Sequence, residues 1–358
     1  MSGSKIAHFG LARQYKNLKD ELLDATDKVL RTGQLMDGAN TAAFETWLAL
    51  RTKTNFVITV HSGTQALEII ALWAKQPFVN VWDIDPTVKM PNISYVATLN
   101  AFLNAGYDVE LIDTDKNGLI DAKDDILSNM AKIICSVGLY GANPTPVSRT
   151  GYNTKIVDGA QHWLVADDIG DAMAISFDPT KNLNASGNGG AIVTNDRDLY
   201  DFAHSYRNNG KHSYATLGTN SRMSELECAH LLVRTNYIDK WQWRRKEIRY
   251  LYLDEFKNLN LRCLSRDFSI HADQKFVIYT DRRDDLMNNL QDNGIECKIH
   301  YSQPLSELTV AADIKVKPDM LSTSTMLCRG VLSLPIYPEL SDGEVEFIAE
   351  TVKKFFTS

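Results

Sequence analysis

Apolar residues near the start of the chain recur at helical spacing. Leu18, Leu22, Leu23, Ala25, Val29 and Leu30 follow a period near 3.6, and Gly33 is a natural stop. Phe44, Trp47 and Leu48 mark a second short helix. The pattern then changes to short apolar runs. Phe56-Val-Ile-Thr-Val60 reads as a buried strand, followed by the turn His61-Ser-Gly-Thr64 and an apolar helix over 65–73. Strands are predicted at 88–90, 109–112, 132–137, 155–158, 172–177 and 191–194. Helices fall between them, one over 95–103 ending at Gly106 and one ending over 126–130. Such alternation predicts an α/β fold, a mostly parallel sheet covered on both faces. Ligands of such sheets bind beyond the carboxyl ends of the strands.

After about residue 220 the pattern shifts again. A long helix is expected over 223–256, rich in Arg, Lys and aromatic residues. Beyond it come strand-like runs at 275–279 and 294–299, a helix over 284–291 and a closing helix over 342–356. This predicts a large domain over residues 1–235 and a smaller α+β domain over 236–358. At 358 residues the chain is long enough for about two domains.

Composition narrows the function classes. The chain is 44% hydrophobic and 23% charged, which excludes wholesale disorder and a small disulfide scaffold. Its net charge of -7 makes it a poor general binder of nucleic acid or anionic lipid. Backbone amides can still hold a small anion. The five cysteines are widely spaced and form no CxxC pair, so reduced thiols in a cytoplasmic protein are the simplest reading. Met1-Ser-Gly-Ser-Lys5 lacks a signal peptide's apolar core, and no apolar run approaches the roughly 20 residues of a membrane span.

Three segments carry chemistry. Ser62-Gly63-Thr64 joins a strand to a helix, where free amides and the positive dipole end suit a phosphate. A simple Ser/Thr N-cap is the competing reading. Asp158 closes a strand, placed either for a ligand or as a turn residue. Lys181 follows Ser176-Phe-Asp-Pro-Thr180 in a turn at a strand's end. Most lysines are surface residues, but a desolvated one forms Schiff bases with carbonyls. Together these match the needs of pyridoxal 5'-phosphate: a lysine for its aldehyde, an acid for its pyridine nitrogen, and a phosphate cup. An anionic Asp158 would keep that nitrogen protonated.

In these residues the chain resembles the DegT/DnrJ-type nucleotide-sugar aminotransferases, which are fold type I pyridoxal-phosphate enzymes. The resemblance covers nearly the whole chain. It includes Gly33, Gly38 and Phe44-Glu45, then Ser62-Gly-Thr-Gln-Ala-Leu67 and Pro91-Asn-Ile-Ser-Tyr-Val-Ala-Thr98. It continues through Gly138-Leu-Tyr-Gly141, Asp158-Gly-Ala-Gln161, Ser176-Phe-Asp-Pro-Thr-Lys-Asn-Leu183 and Asn220-Ser-Arg-Met-Ser-Glu225. Gly294-Ile295, His300-Tyr301 and Leu332-Ser-Leu-Pro335 complete it.

The resemblance implies a mostly parallel central sheet sandwiched by helices, with a smaller C-terminal α+β domain. It implies that Lys181 carries the covalent link to the cofactor and shuttles the proton. Asp158 would face the pyridine nitrogen, Gln161 the phenolic side, and Tyr95 would stack on the ring. Gly63, Thr64 and Ser176 would hold the phosphate. Asn220 would reach the neighbouring subunit's phosphate, so a homodimer with shared sites is expected. Asn188, His300 and Tyr301 would lie near the sugar. The implied reaction moves an amino group, from glutamate, to a nucleotide-linked keto-sugar in amino-sugar or polysaccharide biosynthesis. Sugar dehydratases of this type carry histidine in place of the lysine, so Lys181 argues against that variant. A non-catalytic regulatory or sensing protein is the other alternative.

Three departures cluster around the substrate side. Asn188 stands where an acidic residue is usual, His162-Trp163 where a small residue precedes a histidine, and Ser302-Gln-Pro-Leu-Ser306 lacks the usual histidine. Other patterns are decoys. Asp113-Thr-Asp-Lys-Asn-Gly118 starts like a calcium loop, but position 12 is Asp124 rather than the usual Glu and a strand precedes it. Gly187-Asn-Gly-Gly190 runs into a strand, whereas a dinucleotide fingerprint opens a helix. The basic, aromatic stretch 241–250 reads as a helix with solvated arginines on one face and Trp on the other.

Overall fold

The structure is a computed structural model that describes residues 5–76, 86–120, 133–144, 154–211, 214, 217–265, 269–314 and 321–357. The helix expected over 126–130 and positions 9 and 12 of the calcium-like loop lie outside the described residues.

Two helices, α1 (Leu11–Thr32) and α2 (Ala39–Thr52), precede the sheet. Gly33 closes α1 in the left-handed conformation. The strands are β1 (Phe56–Val60), β2 (Thr87–Pro91), β3 (Asp108–Ile112), β4 (Ile133–Val137), β5 (Thr154–Asp158), β6 (Ala172–Ser176) and β7 (Gly190–Thr194). They form one sheet in the order β1-β7-β6-β5-β4-β2-β3. β7 runs antiparallel to both neighbours, and the remaining pairs are parallel. The predicted mostly parallel sheet is therefore present.

Alternation along each strand feeds two cores. Ala172, Ala174 and Ile192 face α3 (Gly63–Lys75), α4 (Val96–Asn104) and α5 (Arg197–Tyr206), packing with Ile69, Ile70, Phe102 and Leu199. Met173, Ile175 and Val193 face the other way, toward Leu18, Phe44 and Leu48 of the first two helices and Leu231 of α6 (Glu225–Thr235). Continuous apolar strands follow from burial on both faces.

A second sheet holds β8 (Arg262–Cys263), β9 (Phe276–Tyr279) and β10 (Val331–Leu334), all antiparallel, in the order β10-β9-β8. Its core joins Phe276 and Ile278 to Tyr252 of α7 (Ile238–Glu255), Leu286 and Leu290 of α8 (Arg283–Asp292), and Ile348 of α10 (Asp342–Thr357). α9 (Ser322–Gly330) leads into β10. Ile6 joins this core as well, through a parallel bridge to Ile295.

Three expectations are corrected. The long helix over 223–256 is two helices, α6 and α7, separated at Asn236 and Tyr237. Asn and Tyr are modest helix formers, and the break lets α6 pack on α1 and α2 while α7 turns to the second core. The arginines of the 241–250 stretch are not all solvated. Trp241, Arg245, Ile248, Arg249 and Tyr252 share the buried face, and Trp243 points outward at 62% exposure. Arg249 Nε pairs with Asp273 Oδ1 at 2.8 Å, and Arg245 Nη1 donates to the Ile336 carbonyl at 2.5 Å. These partners make burial of the two cations tolerable. The 294–299 run forms isolated bridges at Ile295 and Lys298 instead of a full strand.

The carboxylate of Asp113 has a structural task. It accepts the amides of Thr323 and Ser324 at 2.9 and 2.8 Å, at the start of α9. Among the described residues no helix is long and apolar enough to cross a membrane. All five cysteines are buried, and none is in a disulfide among the described residues.

Candidate active site

The site begins where β1 gives way to α3. Ser62 caps that helix, its Oγ accepting the Gln65 amide at 3.1 Å. The amides of Gly63 and Thr64 belong to the first turn and have no acceptor within the helix. A Cβ on Gly63 would sit 2.7 Å from the Cβ of Ser176, the last residue of β6. A Cβ on Gly190 would collide with the Ser62 backbone. Glycine at both positions therefore draws the helix start, the end of β6 and the start of β7 into one tight cradle. Gly63, Thr64 and Ser176 are together as expected, and free amides at a helix N-terminus are suited to an oxyanion.

Asp158 ends β5 and is 6% exposed. One carboxylate oxygen accepts the Thr98 hydroxyl at 2.7 Å, and the other accepts the Ala160 amide at 3.1 Å. Thr98 is in turn 2.8 Å from Ser94 Oγ. These donors hold the carboxylate in place and leave lone pairs for a further N–H donor.

Lys181 sits in a turn shaped by Asp178. The Asp178 side chain accepts the Thr180 amide at 2.9 Å and its hydroxyl at 2.6 Å, while its carbonyl accepts the Lys181 amide at 2.9 Å. Burial draws the Lys181 ammonium below the ordinary lysine range, against the attraction of Asp158 and Asp178. Lys181 thus feels the charge of Asp158; Asp158 closes β5, and Lys181 lies in the turn that follows β6.

Aromatic and amide groups close the rest of the site. Tyr95, at the start of α4, has its ring 6.0 Å from that of Tyr301. Gln161 Nε2 donates to the Tyr301 hydroxyl at 3.3 Å, and its Oε1 accepts the Tyr140 amide at 2.8 Å. Tyr140 donates its hydroxyl to the His300 carbonyl. Burial pushes the Tyr301 phenol up, helped by Asp158. His300 is pulled down to about 2, chiefly by burial and then by neighbours that include Lys275, and its Nδ1 lies 2.8 Å from Ser333 Oγ.

Asn188 and Asn220 are not brought into this group. Asn188 is exposed, in a loop whose Ser186 amide donates to Glu227 of α6 at 2.7 Å. Asn220 is exposed and bridged to Asn208. Four participants escaped the sequence reading: Thr98, Tyr140, Gln274 and Lys275. Thr98 and Tyr140 lie inside quoted motifs, where the spacing to Asp158 and Gln161 carries no sign of contact. Lys275 carried a signal, a lysine at the head of an apolar strand. His162 is fully buried with neither ring nitrogen hydrogen-bonded among the described residues, and burial lowers it to about 3.

Pyridoxal 5'-phosphate fits these residues. The glycine cradle suits its phosphate, the acceptor-only Asp158 suits a protonated ring nitrogen, and Lys181 is desolvated beside them.

Comparison with known proteins agrees. The model of the DegT/DnrJ/EryC1/StrS aminotransferase family matches residues 16–145 and 165–353. The dTDP-3-amino-3,6-dideoxy-alpha-D-galactopyranose transaminase of Aneurinibacillus thermoaerophilus is 31% identical, over 94% of this chain and 95% of that one. The erythromycin biosynthesis sensory transduction protein EryC1 of Saccharopolyspora erythraea is 30% identical, over 97% and 99%. The crystal structure of S. venezuelae DesV, in complex with a ketimine intermediate, superposes with a TM-score of 0.89 at 26% identity, covering 99% of both chains. The chain therefore belongs to the DegT/DnrJ/EryC1/StrS aminotransferase family, whose cofactor is pyridoxal 5'-phosphate.

Proposed function

We propose that this protein moves an amino group from glutamate to a keto-sugar linked to a nucleotide, in amino-sugar biosynthesis. The carrying observation is the desolvated Lys181, held in a turn within electrostatic reach of Asp158. The substrate class rests on relatives named as dTDP-sugar and UDP-sugar aminotransferases.

The cofactor supplies an electron sink for a carbanion next to the transferred amine. The chain's residues do the rest. Lys181 Nζ, favoured as a neutral amine by burial, takes and returns the proton. Asp158, fixed by Thr98 and Ala160, would accept the ring N–H and favour its protonated form. The Gly63 and Thr64 amides and the Ser176 hydroxyl would hold the phosphate. Tyr95 offers an aromatic face, and Gln161 positions Tyr301 over the same pocket. His300 and Tyr301 would line the sugar side, while the exposed Asn188 stands apart from them.

The working unit on this reading is a cytoplasmic homodimer. The exposed Asn220 would complete the partner's phosphate site. Residues 1–235 would carry the cofactor, and residues 236–358 would form the smaller domain over the substrate.

The test is Lys181→Ala. The purified variant is expected to lose both the covalently held cofactor chromophore and turnover with glutamate and a panel of keto-sugar nucleotides. Full transaminase activity in that variant would overturn the reading.

A further inference from the structure

A second lysine shares the site. Lys275 stands just ahead of β9 and is 6% exposed. Its amide donates to the Tyr140 carbonyl at 3.1 Å. Its neighbour Gln274 donates to the Thr180 carbonyl at 2.8 Å and accepts the Asn182 amide at 3.0 Å, so the two lysine-bearing segments are stitched together.

The surroundings of Lys275 are cationic. Its ammonium lies 5.7 Å from the centre of the Phe9 ring, and Lys298 lies 5.4 Å from the same ring. Lys181, Arg245 and Lys298 repel it, and Asp178 attracts it from beyond ion-pair distance. Lys298 already has Glu296 at 3.8 Å, whereas Lys275 forms no ion pair among the described residues. The rings of His8 and His300, 5.8 Å apart, are both held neutral by burial and these cations. His8 Nδ1 is buried with no hydrogen-bond partner among the described residues. Burial and the neighbouring cations bring Lys275 down to about 7. A buried ammonium without a counter-charge is a costly arrangement. It is relieved when a ligand brings an anion.

We propose that Lys275 is the counter-ion for the carboxylate that the amino donor carries beside its reacting carbon. That carboxylate is one bond from the carbon on which Lys181 acts, so its partner must lie on a segment next to Lys181. A keto-sugar's nucleotide diphosphate is bonded further from the reacting carbon and does not meet this requirement. The proposal rests on the aminotransferase reading and adds its donor subsite.

Glutarate, a dicarboxylate without an amine, is the binding probe, titrated calorimetrically into the holoenzyme. Lys275→Met is expected to weaken glutarate by about tenfold or more, the scale of one charge-assisted contact. It should raise the KM for glutamate while leaving the KM for the keto-sugar unchanged, and Lys275→Arg should recover much of the loss. Lys275→Gln serves where Lys275→Met does not fold. Native glutarate affinity in the Met or Gln variant overturns the proposal. So does a loss confined to the sugar half-reaction, which would assign the lysine to an acidic sugar. A native chain that binds glutarate through Lys275 but accepts no amino group from any amino acid would sink the aminotransferase reading and leave the subsite standing.

Discussion

Gln274 grips the backbone on both sides of Lys181, donating to the residue before it and accepting from the residue after it. One side-chain amide from the segment just ahead of β9 thus fixes the turn that presents the Lys181 amine. Gln274→Leu keeps the volume and removes both bonds. Stability should fall by about 1–3 kcal/mol, as for a buried pair left unsatisfied. The rate of the cofactor's spectral change on adding glutamate should fall with it, and Gln274→Glu, which keeps only the acceptor, should fall between. Denaturant melts and stopped-flow absorbance check both effects.

Asp158→Asn retains the shape of the carboxylate and removes its charge. Loss of a fixed charge at a reacting centre costs about a hundredfold or more in kcat. Thr98→Val removes one hydrogen bond to the same carboxylate and should cost about tenfold or less. Steady-state kinetics on the two variants should therefore rank Asp158 well above Thr98.

The cradle predicts a steric coupling. Gly63→Ala puts a methyl group 2.7 Å from Ser176 Cβ, and overpacking of this kind costs about 1–3 kcal/mol. Cofactor affinity should weaken in step. Ser176→Gly in the same chain removes the closest contact and leaves the Ser176 Cα at 3.2 Å, so the double variant should be less destabilised than the sum of the two single changes. Cofactor titration and thermal melts of all four proteins read the coupling.

The Lys181 titration has a defined direction. Asp178 favours the ammonium, so Asp178→Asn, which still accepts the Thr180 bonds, should lower the lysine's pKa further. In cofactor-free protein the rise of Lys181 acylation with pH, followed by mass spectrometry, should move to lower pH in the variant. A shift to higher pH would contradict the placement of that charge.

Glu225 supplies the cap that α2 lacks. Its carboxylate accepts the amides of Gly38, Asn40 and Thr41 at 2.8 to 2.9 Å, and the Thr41 hydroxyl. Burial pushes its pKa up, but these donors prevail and hold it below the ordinary carboxylate value. A depressed carboxylate stabilises the fold above its unfolded pKa and loses that contribution as pH falls through the folded value. Glu225→Gln should cost about 2–3 kcal/mol at neutral pH. The gap between native and variant melting temperatures should then narrow in acid.

Much of this was legible in the sequence because periodicity reports burial directly. The strands expected at 56–60 and 172–177 were readable from apolar runs, the second running one residue past the end of β6, and the turn at 62–64 from the break between strand and helix. The site's inner contacts were not. Gln274 reaches Thr180 and Asn182 from a segment about 90 positions away, and no local pattern encodes that approach. The division between α6 and α7 was hidden because Asn236 and Tyr237 are weak signals without Gly or Pro. Arg245 and Arg249 misled because charge usually marks the solvent face, whereas here carbonyls and Asp273 on other segments satisfy them.

The bridge between Ile6 and Ile295 makes the smaller core a meeting place for opposite ends of the sequence, since α10 packs into it too. That core stays incomplete until the last helix has been synthesised, while an early segment waits for its partner. Pairing at such sequence separation is slow to form. A fragment over residues 236–358 would keep β8, β9 and β10 but lack Ile6, so that core draws on both ends of the chain. Exchanging it between relatives would require moving both ends together.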